Sequence, residues 1–463
     1  LETTRKAARL SSLSTSNVHT MVAAPARDGQ TTLALRLAKH LAPSPAAAAA
    51  GNVAFSPVSV HAALALVAAG ARGETQAQLL DFLGAPSAAD LADFGRFVSR
   101  SVLVDRELWD GPRVLFGGGV WVDAARGEIA DAFRRVALKS YKSKARTVNF
   151  AKEPEKAVKR INKWVKKATA DLIDTIISPE DINAKTDLVL ANAVYFKGKW
   201  LKPFLASWTF RATFHRLDGR HVEAEFMSAH ATQQVACMDG FKVLKLPYEP
   251  GWKELEAAGC KRKRKSRRSA CASAEKEATE SLDEDGGDAQ YSMFIFLPDT
   301  RDGVAAMVDA VTASPACLYG VLDKVKEAYV ELMLPKFKIA FSWRQLSDAL
   351  RQLGLSLPFS PATADLSGMC DEDDAVDEED GGGDGDGLRR PLFVSNIAHL
   401  SVVEVNEMGT EAAAVTMSVL YGCGRPPREK VEFVADHPFT FFIMEERSGV
   451  IVFAGHVLDP TQG

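Results

Sequence analysis

Cysteine is scarce in this 463-residue chain: Cys237, Cys260, Cys271, Cys317, Cys370 and Cys423, with no C-x-x-C pair and no zinc-ligand spacing. That excludes a disulfide-stapled fold and a cysteine-rich metal module, and reduced thiols suit an intracellular compartment. Net charge is also small. The 56 basic and 60 acidic residues leave −4, which disfavours a nucleic-acid partner beyond a local basic patch. No apolar run reaches the ~18 residues that a membrane span requires. The most hydrophobic stretch, Val53 to Ala71, contains Ser56, Pro57, Ser59 and His61. It reads as a buried helix, with Ser56 expected to cap it and Pro57 at its first turn. Also missing are a G-x-S-x-G elbow, an H-E-x-x-H helix and a phosphate-binding loop. The expectation is a protein that is not an enzyme and needs no cofactor.

What is present is ordinary globular composition, 46% hydrophobic and 25% charged, enough for a large core. Length alone suggests about three domains, but three stretches cannot bury a core. Residues 1–29 are expected to be a disordered tail. The first twenty lack an initiator Met and an apolar segment, so no secretory signal is visible and Met21 reads as the natural start. Residues 253–289 hold seven cations within Lys261–Arg268 and then an acidic stretch, and residues 370–388 carry ten carboxylates and five glycines. Both read as disordered insertions. The Gly381–Gly387 run lacks the flanking strand and helix of a phosphate loop, so it reads as solvated linker. The basic run could serve nuclear import. Cytoplasmic or nucleocytoplasmic residence is expected, with an extracellular one as the second reading.

The rest alternates in type. Leu188–Trp200, Phe241–Glu249, Tyr291–Asp299, Tyr329–Phe341 and Phe439–Val457 are aromatic and β-branched runs that predict strands. Thr31–Leu41, Ile161–Ile173 and Trp343–Gly354 carry helical periodicity. No strict βαβ rhythm appears, so an α+β fold with large sheets is expected.

The most informative segment is VNEMGTEAAAVTMSVLYGCGRPPREKVEFV, residues 405–434. From Gly409 to Leu420 it has a period of two. One face carries Thr410, Ala412, Ala414, Thr416, Ser418 and Leu420, and the other carries Glu411, Ala413, Val415, Met417 and Val419. A strand with one face of small side chains can slide between two existing strands without overpacking the core beneath. Gly422, Gly424, Pro426 and Pro427 then interrupt any strand and make an exposed tip.

These residues resemble the serpin family, its plant branch in particular. NVAFSPVSVHAALALVAAGARGET resembles the family's second and third helices, LVLANAVYFKGKW a strand of the main sheet, VNEMGTEAAAVT the reactive-loop hinge, and FVADHPFTFFIMEERSGVIVFAGHVLDP the C-terminal strands. The resemblance implies a single α+β serpin domain over residues 30–463, with three β-sheets, about nine helices and an exposed reactive-centre loop over about 407–432. It implies a suicide-substrate inhibitor of serine-type endopeptidases, with cysteine endopeptidases as a second class. The partner would be the target endopeptidase in a covalent complex. The free protein would be a monomer, metastable and polymer-prone when destabilised. The alternative is a non-inhibitory serpin acting as a binding or storage protein.

Residue by residue, the resemblance makes Glu407, Gly409, Thr410, Glu411, Ala412, Ala413, Ala414, Val415 and Thr416 the hinge. Family spacing sets the reactive bond at Cys423–Gly424, with Arg425 as the rival; an Arg425–Pro426 bond suits trypsin-like proteases poorly. Ser56, Ser59, Asn192 and His399 match a hydrogen-bonded cluster where the main sheet opens. Trp200, Lys336 and Glu407 match the site where the loop enters. The familiar hinge has a second acid where Met408 stands, and a smaller residue than Val415.

Overall fold

The computed structural model describes residues 24–43, 51–251, 289–371, 391–410 and 430–462. Its helices are α1 (Ala24–His40), α2 (Pro57–Gly70), α3 (Gly73–Phe82), α4 (Ala88–Phe97), α5 (Asp131–Tyr141), α6 (Pro154–Ala168), α7 (Val304–Val311), α8 (Pro315–Leu322) and α9 (Leu346–Gln352). Its strands are β1 (Val53–Phe55), β2 (Arg113–Asp123), β3 (Ser143–Val148), β4 (Leu188–Lys199), β5 (Thr209–His215), β6 (His221–Cys237), β7 (Phe241–Pro247), β8 (Tyr291–Pro298), β9 (Lys326–Pro335), β10 (Phe337–Ser342), β11 (Asn396–Asn406), β12 (Gly409–Thr410), β13 (Val431–Val434), β14 (Phe439–Glu445) and β15 (Val450–Val457).

Among the described residues, hydrogen bonding joins these strands into two sheets. The six-stranded one runs β10-β11-β12-β4-β2-β3; the nine-stranded one runs β1-β15-β14-β8-β7-β6-β9-β13 with β5 on β6. The architecture is a mixed helix-and-sheet fold with three strand sets, two of them fused. The fusion is due to β6, whose 17 residues pair first with β5 and then with β7, while β9 runs alongside both halves.

The six-stranded sheet has a core on each face, and β4 shows why. Leu188, Leu190, Val194 and Phe196 enter the larger core, while Val189, Ala191 and Ala193 enter a smaller one under α6. Successive strand side chains point to opposite faces, so a run apolar at every position fits only between two covered faces. Each fully buried Val, Leu or Phe stabilises the fold by about 1.5–3 kcal/mol. Helix α6 presents Ala157, Val158, Ile161 and Val165 inward and leaves Lys156, Lys159, Arg160, Lys163, Lys166 and Lys167 exposed. Helix α2 is buried along nearly its whole length, as a sequence apolar on all sides except at Ser59 and His61 requires.

Several bounds differ from expectation. Residues 24–29 belong to α1 and not to a tail, because Ala26 is buried and Gln30 exchanges side-chain hydrogen bonds with the backbone of Ile451. Ser56 stands at the N-cap of α2 with Pro57 following, but its hydroxyl makes no capping bond. The helix expected over Ile161–Ile173 runs from Pro154 to Ala168, since Ala170 and Asp171 take positive φ and turn the chain. The Tyr329–Phe341 run is two strands parted at Lys336, and Phe439–Val457 is a hairpin that turns where Gly449 takes φ +73°. Most of the tail and of both insertions lies outside the described residues. Of their margins, Ala289 is buried, Cys370 bridges Ile129, and the Asp371 N–H donates to Glu128. Among the described residues no single helix is long and apolar enough to cross a membrane.

Candidate functional site

In the six-stranded sheet β4 and β11 pair in parallel, Asn396–Val402 against Val189–Tyr195. Beyond Val402 they part, and β12 occupies the gap. Thr410 lies opposite Gly198 on one side and Val405 on the other; Gly409 lies opposite Lys199 and Asn406. The chain therefore rises along β11, reverses through Glu407 and Met408, and re-enters the same sheet. Gly409 is forced by geometry: its φ is +149°, and a Cβ there would stand 2.0 Å from the Gly198 carbonyl oxygen.

The reversal is held from the segment that follows β4. The Trp200 N–H donates to the Met408 carbonyl (2.9 Å), the Phe204 N–H to that of Glu407 (2.8 Å), and the Trp200 indole Nε1–H to that of Asn406 (2.9 Å). Three successive carbonyls are thus satisfied at a partly buried turn, where unpaired ones would be costly. The Glu407 carboxylate accepts from the Thr209 hydroxyl (2.8 Å) and from Lys336 (3.3 Å), and Lys336 also reaches Glu225 at 3.3 Å. Partial burial pushes the Glu407 carboxyl upward, but its own backbone N–H, Thr209 and Lys336 outweigh it and hold it below the usual carboxylate range. Burial likewise pulls Lys336 down, and the two carboxylates reverse that. The ion pair thus favours the charged form of both partners.

Further down, where β4 and β11 are still paired, lies His399. It sits opposite Asn192 across the β11–β4 pair, and both are buried. Their strand neighbours on the same face, Leu190, Val194 and Ile397, belong to the larger core. The Ser56 backbone N–H donates to His399 Nε2 at 3.1 Å, while Ser59 Oγ stands 3.4 Å from Nδ1 and donates to the Ser56 carbonyl at 3.0 Å. An accepting Nε2 requires the proton on Nδ1, which then points at Ser59. Burial lowers the imidazole pKa to about 4, so it is neutral at physiological pH. The four expected residues converge here, with a difference in detail. Ser56 contributes its backbone and not its hydroxyl, and neither Ser56 Oγ nor Asn192 Nδ2 has a partner among the described residues.

Sequence reasoning missed Tyr248. Its ring stacks on Trp200 (4.6 Å, 18°) and meets Phe196 edge-on (4.9 Å, 65°), and its hydroxyl lies 2.7 Å from Thr410 Oγ1. The available signal was a lone phenol at the end of an apolar strand, next to Glu249-Pro250. Thr209 and Glu225 were missed as well. The rest of the expected hinge, Glu411, Ala412, Ala413, Ala414, Val415 and Thr416, and the bond candidates Cys423, Gly424 and Arg425 lie outside the described residues.

Comparisons with known proteins agree with this architecture. A family model, Serpin (serine protease inhibitor), matches residues 28–256 and 286–460. Serpin-Z2A of Oryza sativa subsp. japonica is 42% identical over 438 residues, covering 94% of this chain and 97% of that protein. Serpin-Z7 of Hordeum vulgare is 38% identical, covering 93% and 95%. Among solved structures, Arabidopsis AtSerpin1 in its native stressed conformation superposes with a TM-score of 0.74 at 30% identity, covering 94% of this chain and 98% of that one. The two flanks of the match leave out residues 257–285, most of the basic-then-acidic stretch. On the sequence motifs, the parted sheet and these relatives together, the chain belongs to the serpin family.

Proposed function

We propose that this serpin inhibits serine-type endopeptidases as a suicide substrate, with cysteine endopeptidases as a second target class. Serpins are generally protease inhibitors, and one observation supports that activity in this chain. The gap between β4 and β11 already receives Gly409 and Thr410, the first residues of a segment that continues with the small side chains Ala412, Ala414, Thr416 and Ser418 on one face.

In this reading residues 411–429 present the bait. The protease nucleophile attacks the Cys423 carbonyl carbon, the Cys423–Gly424 C–N bond breaks, and the Gly424 nitrogen leaves with a proton. The acyl link to the protease remains. The freed segment then adds to the six-stranded sheet through Glu411, Ala412, Ala413, Ala414, Val415 and Thr416. Serpin loop insertion is itself a known case of strand addition that releases stored strain. The native form is a kinetically trapped state, and the cluster around His399 and the Lys336–Glu407 pair set how readily the sheet parts.

Incubation with a panel of serine and cysteine endopeptidases tests this. The expected result is an adduct that survives denaturing electrophoresis, together with a large gain in heat stability on cleavage within 411–429. Cleavage with neither adduct nor added stability would establish the non-inhibitory alternative.

A further inference from the structure

We propose that Tyr248 is a positioning residue for loop insertion, its hydroxyl holding Thr410 inside the sheet of the uncleaved chain. This rests on the loop-inserting reading above.

Both hydroxyls are enclosed by protein. Thr410 has no exposed surface and Tyr248 has 1%. The Tyr248 ring is sandwiched by Trp200 and Phe196, and Gly198 makes room for it, because a Cβ at 198 would stand 2.6 Å from Tyr248 Cδ1. The tyrosine backbone is fixed too: its N–H donates to the Tyr291 carbonyl at 3.0 Å, and it bridges Trp200. Burial raises the phenol far above its usual range, so it stays protonated and able to donate.

Each hydroxyl is therefore the other's partner in a dry site. Withdrawing Thr410 toward solvent would leave the phenol buried and unsatisfied, which penalises the withdrawn state more than the bond's own loss. Thr410 is held on both flanks by β4 and β11 and at its side chain by Tyr248. Insertion then starts from residue 411 with the entrance already open. The same bond persists as later residues add, so insertion starts from an entrance that is already formed. Tyr248 touches no protease atom in this scheme and acts only through Thr410.

The test uses the full chain and the variants Tyr248→Phe, Thr410→Val and both together. Amide hydrogen exchange of the uncleaved proteins is followed over residues 405–410 by mass spectrometry. Each single variant should exchange about tenfold faster there, the double variant no faster than either, since one buried hydrogen bond is worth about tenfold. The rate of gaining heat stability after loop cleavage should fall by no more than that factor, because it scales with the fraction of chains that keep Thr410 seated. Unchanged exchange in both single variants overturns the proposal. A wild-type chain that gains no stability on cleavage overturns the inhibitory reading instead, and exchange still decides whether Tyr248 holds Thr410. Should Tyr248→Phe fail to fold, Thr410→Val removes the same bond from the other side, and its exchange rate decides the question alone.

Discussion

The Lys336 ammonium stands 3.3 Å from the carboxylates of both Glu407 and Glu225, so one cation ties the turn ahead of β12 to strand β6. Lys336 follows the last residue of β9, and Glu407 lies 71 residues further along the chain, so the tie spans both sheets. With Glu407 16% and Lys336 31% exposed, the pair is partly screened and contributes about 1 kcal/mol.

Lys336→Met should therefore loosen the entry turn and speed conversion of the monomer to polymer on mild heating, by about fivefold for that energy. The pH sign follows from Glu407. Its folded pKa is depressed, so its contribution is present above the unfolded value of 4.5 and is lost as pH falls through the lower folded value. Monomer loss followed by native gel electrophoresis should separate wild type from variant at pH 7, and the two should converge in strong acid. High salt should narrow the gap at neutral pH.

His399→Ala should raise spontaneous polymerisation more, because it strips the Ser56 N–H of its acceptor and opens a cavity beneath the parting strands. An increase of at least about tenfold in the rate on mild heating, equivalent to about 1.4 kcal/mol, is the expected outcome; an unchanged rate would remove His399 from control of the sheet.

Acid should weaken the native state through the same residue. His61, His399 and His456 are each held at about 4 by burial. A histidine kept neutral in the fold gives stability that is fully present above the unfolded value of 6.5 and is lost as pH falls from there toward about 4. Each contributes about 1.4 kcal/mol per pH unit in that window. Heat-induced loss of monomer should accelerate from pH 7 to pH 5, and His399→Ala should show a shallower dependence because one of the three groups is gone. A variant as steep as wild type would assign the acid response to His61 and His456 alone.

Much of this site was legible because its residues sit in long local patterns. The alternation along β4 puts Asn192 on the face that His399 shares, and the small-residue run after Gly409 announces a segment able to enter a sheet. Tyr248 was not legible, because its role depends on meeting Thr410, 162 positions away in sequence. Nothing near Tyr248 distinguishes a phenol that latches a strand from one that simply ends it. The two-strand nature of 329–341 was hidden for a related reason. Pro335 ends β9 without a break in apolar character, and only the pairing of Phe337–Ser342 with β11 separates it as a new strand. Ser56 looked like a helix cap by type and position, but the imidazole of a distant strand takes its backbone N–H instead.

At the proposed scissile bond, Cys423 and Arg425 are the two candidates for the residue whose carbonyl is attacked, and the two choices release different fragments. Mass spectrometry of the fragment released from a protease adduct should show that it begins at Gly424. Changing Arg425 to Ala should then leave adduct formation within about twofold of wild type, since a residue on the leaving side contributes only uniform binding. Loss of the adduct in that variant, or a fragment starting at Pro426, would move the bond to Arg425.

Gly409→Ala separates insertion from bait recognition. The substituted Cβ would collide with the Gly198 carbonyl at 2.0 Å and would have to adopt φ near +149°, a region closed to side-chain-bearing residues. Neither obstacle touches the remote bond at Cys423, so a protease should still cleave the variant. β12 cannot form in the gap, however, and the strand must enter without its pivot. Cleavage should then outpace trapping: the ratio of cleaved chain to covalent adduct should rise by at least about tenfold, the factor set by ~1.4 kcal/mol of added barrier. Quantifying both bands on denaturing gels at several protease ratios measures this. An unchanged ratio would mean that insertion tolerates an expelled Gly409, and that the occupancy of the gap by β12 is not what commits the loop to the sheet.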